Sequence, residues 1–321
     1  MRKGLLIAIL ILLVISSFGQ QFTDLYGDYL GQTPPGDTPM VFAREIVSTD
    51  YQEHGAPSFS PDGNEVYWYS NRRPGPENKE WLSFTMTMRR ENNRWSAPYV
   101  APQKRFPIFS ADGRRAYFSS ARPHSDTVQV IPPDLDIWFV ERQGDDWSQP
   151  KYLNLVARYP ELRWAGVGSV ASNGTLYFMS YRLGQPDDNG NNLGIYRAEL
   201  INGEYAKPEL LPSCINLLPF LNWTPFIAPD ESYLIFSSSR ETPKADGGDL
   251  YVSFRQPDGS WTNPVTLGKP INTDQQERFP RVSWDGKYLF FSRWTPDHDE
   301  DVFWVSSKII DRLREKSNIK K

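Results

Sequence analysis

The chain has 321 residues, and 39 Asp and Glu against 35 Lys and Arg leave a net charge of -4. No basic field exists to draw in nucleic-acid phosphates or anionic lipid, so nucleic acid is excluded as a partner class. Aromatic residues make up 14 %, Trp alone contributes 11, and 27 Pro with 22 Gly supply turns; this suits sheets that fill their interfaces with wide side chains.

The first residues, MRKGLLIAILILLVISSFGQ, place Arg2 and Lys3 before an apolar run over 5–15 and small residues Ser17 and Gly19 after it. That order predicts a secretory signal peptide over residues 1–19, cleaved after Gly19. The alternative, an uncleaved anchor, has an apolar run of about eleven residues, short for a bilayer span. No cysteine closes the run, which argues against a lipid anchor. A periplasmic or secreted chain with no transmembrane span is therefore expected. Residues 20–38 read as an N-terminal extension. Cys214 is the one cysteine; it has no disulfide partner and is expected to be a small buried apolar residue.

From Pro57 to Arg293 one phrase recurs five times: PSFSPDGNEVYWYSNR, PIFSADGRRAYFSSAR, GSVASNGTLYFMSYR, PFIAPDESYLIFSSSR and PRVSWDGKYLFFSR. A unit of roughly 50 to 60 residues repeated in this way marks a solenoid, propeller or array. Within a copy, Asp-Gly between two apolar-aromatic runs is a strong hairpin signal. A third strand follows, as Asp136-Ile137-Trp138-Phe139-Val140 or over 84–88, 195–198, 250–254 and 302–305. A Trp-Ser-x-Pro corner at Trp95, Trp147 and, with Thr for Ser, Trp261 leads to a fourth segment, with a weaker copy at Tyr205. Proline there suits an outer edge strand, where a missing donor breaks no ladder bond.

These units predict an all-β, five-bladed propeller of four-stranded antiparallel blades over residues 39–305. The fifth copy stops after its third strand. Its fourth is expected from Pro39-Met40-Val41-Phe42 and the residues after them, which match the segment beginning Pro264-Val265-Thr266-Leu267, so the N-terminal strand closes the ring. The alternative is a six-bladed ring with a degenerate blade in residues 21–50. Residues 306–321 form a tail containing a short helix, with Ile309, Ile310 and Leu313 on one face and Ser307 as N-cap.

The repeats resemble the tandem Pro-Asp-Gly, WD-like class found in TolB-like β-propellers of bacterial envelopes, over about Pro39 to Val305. The resemblance implies the fold. It does not carry a function, because relatives of this kind include periplasmic scaffolds and propeller domains attached to peptidases. TolB-like domains usually carry six blades, and the count here departs from that.

Each hairpin ends in Arg (Arg72, Arg122, Arg182, Arg240, Arg293), and third strands open with Asp136, Asp249 and Asp301. The spacing predicts a recurring Arg to Asp support rather than a ligand ring, since a part present in every blade is structural. Asp62, Asp112, Asp230 and Asp285 are expected to serve their turns through backbone bonds.

Function in a propeller gathers on loops at one mouth of the channel. The segments before each first strand hold Glu53 and His54, Lys104 and Arg105, Arg163 and Trp164, Asn222 and Trp223, and Glu277 and Arg278. From these the candidate ligand-binding set is Glu53, His54, Arg105, Trp164, Trp223, Glu277 and Arg278. It suits a polar or sugar-like ligand, against the plainer reading that Trp164 and Trp223 plug blade interfaces. No residue is assigned as catalytic. Glu53 and Glu277 are repeat-equivalent, which argues against distinct acid and base roles. His54, His124 and His298 lie in three blades and form no metal motif. The acidic loops 187–192 and 297–301 are expected to be solvated blade loops, with calcium held through oxygen ligands as the alternative, and no other cofactor is expected. The expectation is a non-catalytic, monomeric binding propeller for an envelope protein or glycan. The alternative is a carbohydrate-active enzyme, a glycoside hydrolase or lyase.

Overall fold

The structure, a computed structural model, describes residues 24–72, 82–102, 105–121, 135–159, 162, 164–181, 193–240, 248–296 and 299–317. The signal-peptide segment, Lys104, Arg122, His124, Arg163, Arg182, His298 and the loop 187–192 lie outside those residues.

Five sheets form the ring, each built from the repeat and counted here from the channel outward. Blade I is Ser58–Phe59, Glu65–Arg72, Leu82–Glu91 and Tyr99–Val100. Blade II is Ile108–Phe109, Arg115–Ala121, Leu135–Gln143 and Lys151–Tyr152. Blade III is Gly166–Val170, Leu176–Tyr181, Leu193–Ala198 and Glu209–Leu210, and blade IV is Asn222–Ile227, Tyr233–Ser238, Asp249–Phe254 and Val265–Thr266. Blade V contributes Glu277–Val282, Tyr288–Thr295 and Asp299–Ser306 and takes its outer strand, Met40–Val41, from the other end of the chain. Met40 stands opposite Trp304 and Val41 opposite Phe303, and the Phe42 amide donates to the Val302 carbonyl at 2.8 Å. The ring therefore closes by its N-terminal strand on five blades. Residues 24–50 do not form a sixth.

The hairpin turns follow the predicted chemistry. In blade I, Ser60 Oγ donates to Asp62 Oδ1 at 2.5 Å, the Asn64 amide donates to the same oxygen at 3.0 Å, and Gly63 takes φ 70. Ser110 with Asp112 and Ser283 with Asp285 repeat it. The Trp-Ser-x-Pro corner has a matching reason: Ser96, Ser148 and Thr262 each accept the amide of a third-strand residue, at 3.1, 3.0 and 3.0 Å.

Pleating sends consecutive second-strand side chains to opposite faces of a blade, hence to the two flanking interfaces. Tyr67 packs with Phe109 and Phe118 of blade II, while Trp68 packs with Phe290 and Trp304 of blade V. Tyr177 and Phe178, and Phe291 and Phe290, divide in the same way. The paired aromatics of the repeat thus supply one apolar cluster for each blade interface.

Two elements outside the repeat secure the ring. The N-terminal extension is a strap from blade I to blade V: Trp95 Nε1 donates to the Gly27 carbonyl at 2.8 Å, Arg90 pairs with Asp28, and the Tyr29 hydroxyl donates to Asp285 at 2.7 Å. The Tyr29 ring meets Phe59 and Tyr288 edge-on at 5.4 and 5.0 Å. The C-terminal helix, Lys308–Lys316, lays Ile310 and Leu313 on the cluster shared by blades IV and V. Cys214 is half-buried rather than buried, its Sγ 3.9 Å from the Trp261 carbonyl. Among the described residues no helix is long and apolar enough to cross a membrane.

Candidate functional site

The channel mouth is framed by the loops that enter the inner strands, and the recurring arginines hold those loops. Arg240 donates to the carbonyls of Cys214 and Ile215 and to Asn222 Oδ1. Arg293 donates to Glu277 Oε1 at 2.9 Å and to the Ile271 carbonyl at 2.7 Å. Both grip the crossover that arrives from the preceding blade. In these two blades the repeat arginine supports the crossover through loop carbonyls, Asn222 and Glu277 rather than through the expected Asp, and Arg72 lies over the rings of Tyr51 and Phe84.

The inner strands are not regular. Pairing shifts register between Trp223 and Phe226 and between Arg278 and Arg281, where Thr224 and Phe279 take φ 50 and 53. Such conformations cost about 1–3 kcal/mol for a residue with a Cβ and persist only where the surroundings hold them. Here the hold is direct. Thr224 Oγ1 lies 2.7 Å from Ser237 Oγ and accepts the Phe279 amide at 3.3 Å, lacing blade IV to blade V. In blade III the shift falls between Val167 and Ser169, and a Cβ on Gly168 would stand 2.5 Å from the Pro225 carbonyl.

Glu53 and Glu277 are fully buried at equivalent places. Glu53 accepts the Thr49 amide at 3.2 Å and hydroxyl at 2.8 Å; Glu277 accepts the Thr273 amide at 3.2 Å and hydroxyl at 2.6 Å. Each carboxyl thus closes the Thr-Asp-x-Gln-Glu turn that carries it. They differ in partner. Arg293 neutralises Glu277, whereas Glu53 sees the Ser70 hydroxyl at 3.4 Å. Burial pushes the Glu53 carboxyl up to about 8; hydrogen bonds from Thr49 and Ser70 oppose the rise and the charge of Asp301 adds to it. Neither carboxyl presents a face to a ligand.

The group that does reach the mouth is centred on Glu300. This residue lies on the third strand of blade V, opposite Trp294, and is 0 % exposed. The expectation of a solvated loop over 297–301 is thus corrected at Glu300 and Asp301, both buried on that strand. Glu300 meets His54 Nδ1 at 2.8 Å, Arg278 at 3.3 Å and the Ser292 hydroxyl at 2.5 Å, and its backbone carbonyl accepts the Glu53 amide at 2.9 Å. Burial pushes its carboxyl up, but the His54 hydrogen bond and the charges of His54 and Arg278 outweigh this and hold it below the usual glutamate range. The His54 side chain stays 36 % exposed, its ring edge-on to Phe279 at 4.7 Å. With Nδ1–H donated to Glu300, the imidazole leaves Nε2 as its second polar atom beside a guanidinium, an acceptor in the neutral ring and a donor in the charged one.

The other predicted residues stand elsewhere. Trp223 is 8 % exposed and packs within blade IV, where a Cβ on Gly248 would lie 2.9 Å from its ring. Trp164 leans on Tyr181, with ring centroids 6.0 Å apart, and against Gly166 in blade III. Arg105 does not join the mouth group. It lies over Phe118 at 4.9 Å in a groove between blades I and II that also takes in Arg89, Trp147 and Pro150. Of the predicted residues the mouth group thus takes His54 and Arg278, joined by Glu300, from the two blades that ring closure makes neighbours, while Glu53 and Glu277 lie buried behind it. Among the described residues no group of three or more His, Cys, Asp or Glu is arranged to hold a metal ion.

No family model and no curated protein matches the chain. Among solved structures, a protein described as a TolB from Agrobacterium tumefaciens is similar over 78 % of this chain and 90 % of its own, at 15 % identity and a TM-score of 0.45. A thermostable family-43 glycoside hydrolase is similar over 84 % and 90 %, at 14 % identity and 0.45. A β-1,2-mannobiose phosphorylase from Listeria innocua is similar over 92 % and 100 %, at 12 % identity and 0.44. These likenesses are of fold, and the count of five blades rests on the strand pairing of the chain itself.

The residue the sequence reading missed is Glu300. A signal was present in Trp294 and Thr295, which prolong the second strand past Arg293 and give the acidic stretch a partner to pair with. Low strand propensity of Asp and Glu hid it, and side-chain contacts overrode that propensity.

Proposed function

We propose that the chain is a non-catalytic, monomeric, secreted or periplasmic β-propeller that binds an envelope protein or glycan through the face where its inner strands begin. His54 and Arg278 make the contact and Glu300 positions both. The observation that carries this reading is the buried, ionised Glu300, which fixes a partly exposed imidazole and a guanidinium side by side where blades V and I meet. Such a pair suits a ligand offering a hydroxyl and an acidic or carbonyl oxygen together, as glycans and acidic side chains do. Glu53 and Glu277, each spent on its own turn, do not supply the two facing carboxyl groups that glycoside hydrolysis needs.

The test is a glycan and envelope-extract binding screen of the mature protein, with and without added calcium, comparing wild type with His54→Ala and Glu300→Gln. Binding without turnover that weakens tenfold or more in both variants is the expected result. Substrate turnover that disappears in Glu300→Gln would replace this reading with the carbohydrate-active enzyme. Unchanged binding in both variants would move the site off the mouth.

A further inference from the structure

Deeper in the channel stands a cation that no described residue neutralises. Arg281 lies on the inner strand of blade V, opposite Phe290 of the neighbouring strand. It faces a small cavity walled by residues from every blade, among them Ser58, Ile108, Val170 and Phe226. The other arginines of this hairpin have carboxylate partners: Arg278 pairs with Glu300 and Arg293 with Glu277. Among the described residues the Arg281 guanidinium has no such partner, and its Nε is shut off from solvent without a hydrogen bond although the side chain as a whole keeps some accessible surface. Burial pushes it down to about 10, which leaves it charged at neutral pH.

An unpaired charge in an apolar wall is costly, and the cost falls when a counter-charge enters. The cavity that the inner strands surround gives one a way in. The space holds a few waters, which suits a small inorganic anion with its hydration rather than a sugar acid. Ser58, itself buried, adds a hydroxyl to the wall.

We propose that Arg281 holds a small monovalent anion of chloride's size inside the channel, where the ion neutralises the guanidinium and braces the five inner strands from within. The site is separate from the mouth group and does not depend on what the mouth binds.

The experiment compares thermal unfolding of the mature chain in sodium chloride and in sodium gluconate at equal ionic strength, for wild type and Arg281→Met. The wild-type Tm should rise by about 3 °C for each tenfold increase in chloride above half-saturation, and not in gluconate. Arg281→Met should lose the difference between the two salts. Crystals soaked in bromide should show an anomalous peak beside the Arg281 guanidinium. Equal wild-type Tm in both salts, a retained chloride increment in Arg281→Met, or a bromide map empty at Arg281 would each overturn the proposal. Should Arg281→Met fail to fold, the wild-type salt comparison and the bromide map decide it.

Discussion

Replacing Glu53 by Gln should remove most of the pH dependence of stability between pH 5 and 8. The folded protein holds the Glu53 proton up to about pH 8, whereas the unfolded chain releases it near the ordinary 4.5. The sign follows from the raised value: the folded state binds the extra proton, so the benefit is full below pH 4.5 and is lost as pH rises through about 8. The loss runs at up to about 1.4 kcal/mol per pH unit, on the order of 4–5 kcal/mol across the window. No discount for solvent screening applies, because Glu53 is 0 % exposed. Gln keeps a carbonyl for the Thr49 amide and hydroxyl but cannot ionise. Its amide group lacks an obvious acceptor, which costs about 1–2 kcal/mol at every pH. The measurement is Tm against pH for both proteins in one buffer series. The wild-type Tm should fall by about 5–10 °C more than that of Glu53→Gln between pH 5 and pH 8. Parallel curves would show that Glu53 does not carry the proton and that the turn tolerates a buried carboxylate.

Other perturbations probe the frame. Phe42→Ala empties a fully buried site whose ring lies 5.1 Å from both Phe290 and Trp304, and should cost about 3–5 kcal/mol, read as a fall in Tm with early proteolysis near residue 40. Arg240→Leu leaves the crossover carbonyls of Cys214 and Ile215 without their donor, at about 2–4 kcal/mol by denaturant unfolding. Arg240→Lys should restore little of that, because an ammonium cannot span the fork. At Asp285 burial raises the carboxyl, but hydrogen bonds from Ser283, Tyr29 and Lys287 prevail and hold it at about 2. Its contribution is therefore present above pH 3.8 and is lost as pH falls toward 2, so Asp285→Asn should flatten acid unfolding over that interval.

The sequence by itself determined the five hairpins, the Asp-led turns, the Trp-Ser-x-Pro corners and the closure of blade V by residues 40–41. All of these follow from local turn chemistry and from a pattern that repeats, so each copy corroborates the others. That the N-terminal segment completes blade V could be read in advance because it matches an outer strand elsewhere in the chain, and the structure sets its register, Met40 opposite Trp304. What meets what across the ring was decided by the tertiary structure alone. His54 and Glu300 lie 246 residues apart and touch because closure sets blade I beside blade V. Arg105 sits at a repeat-equivalent place yet leans over Phe118 in a groove, and Arg281 has no carboxylate partner among the described residues while Arg278, three positions earlier, finds one. A repeat specifies the frame that all blades share. The residues that break the repeat have no periodic partner, and their neighbours are set by the register bulges and by the packing of blade against blade.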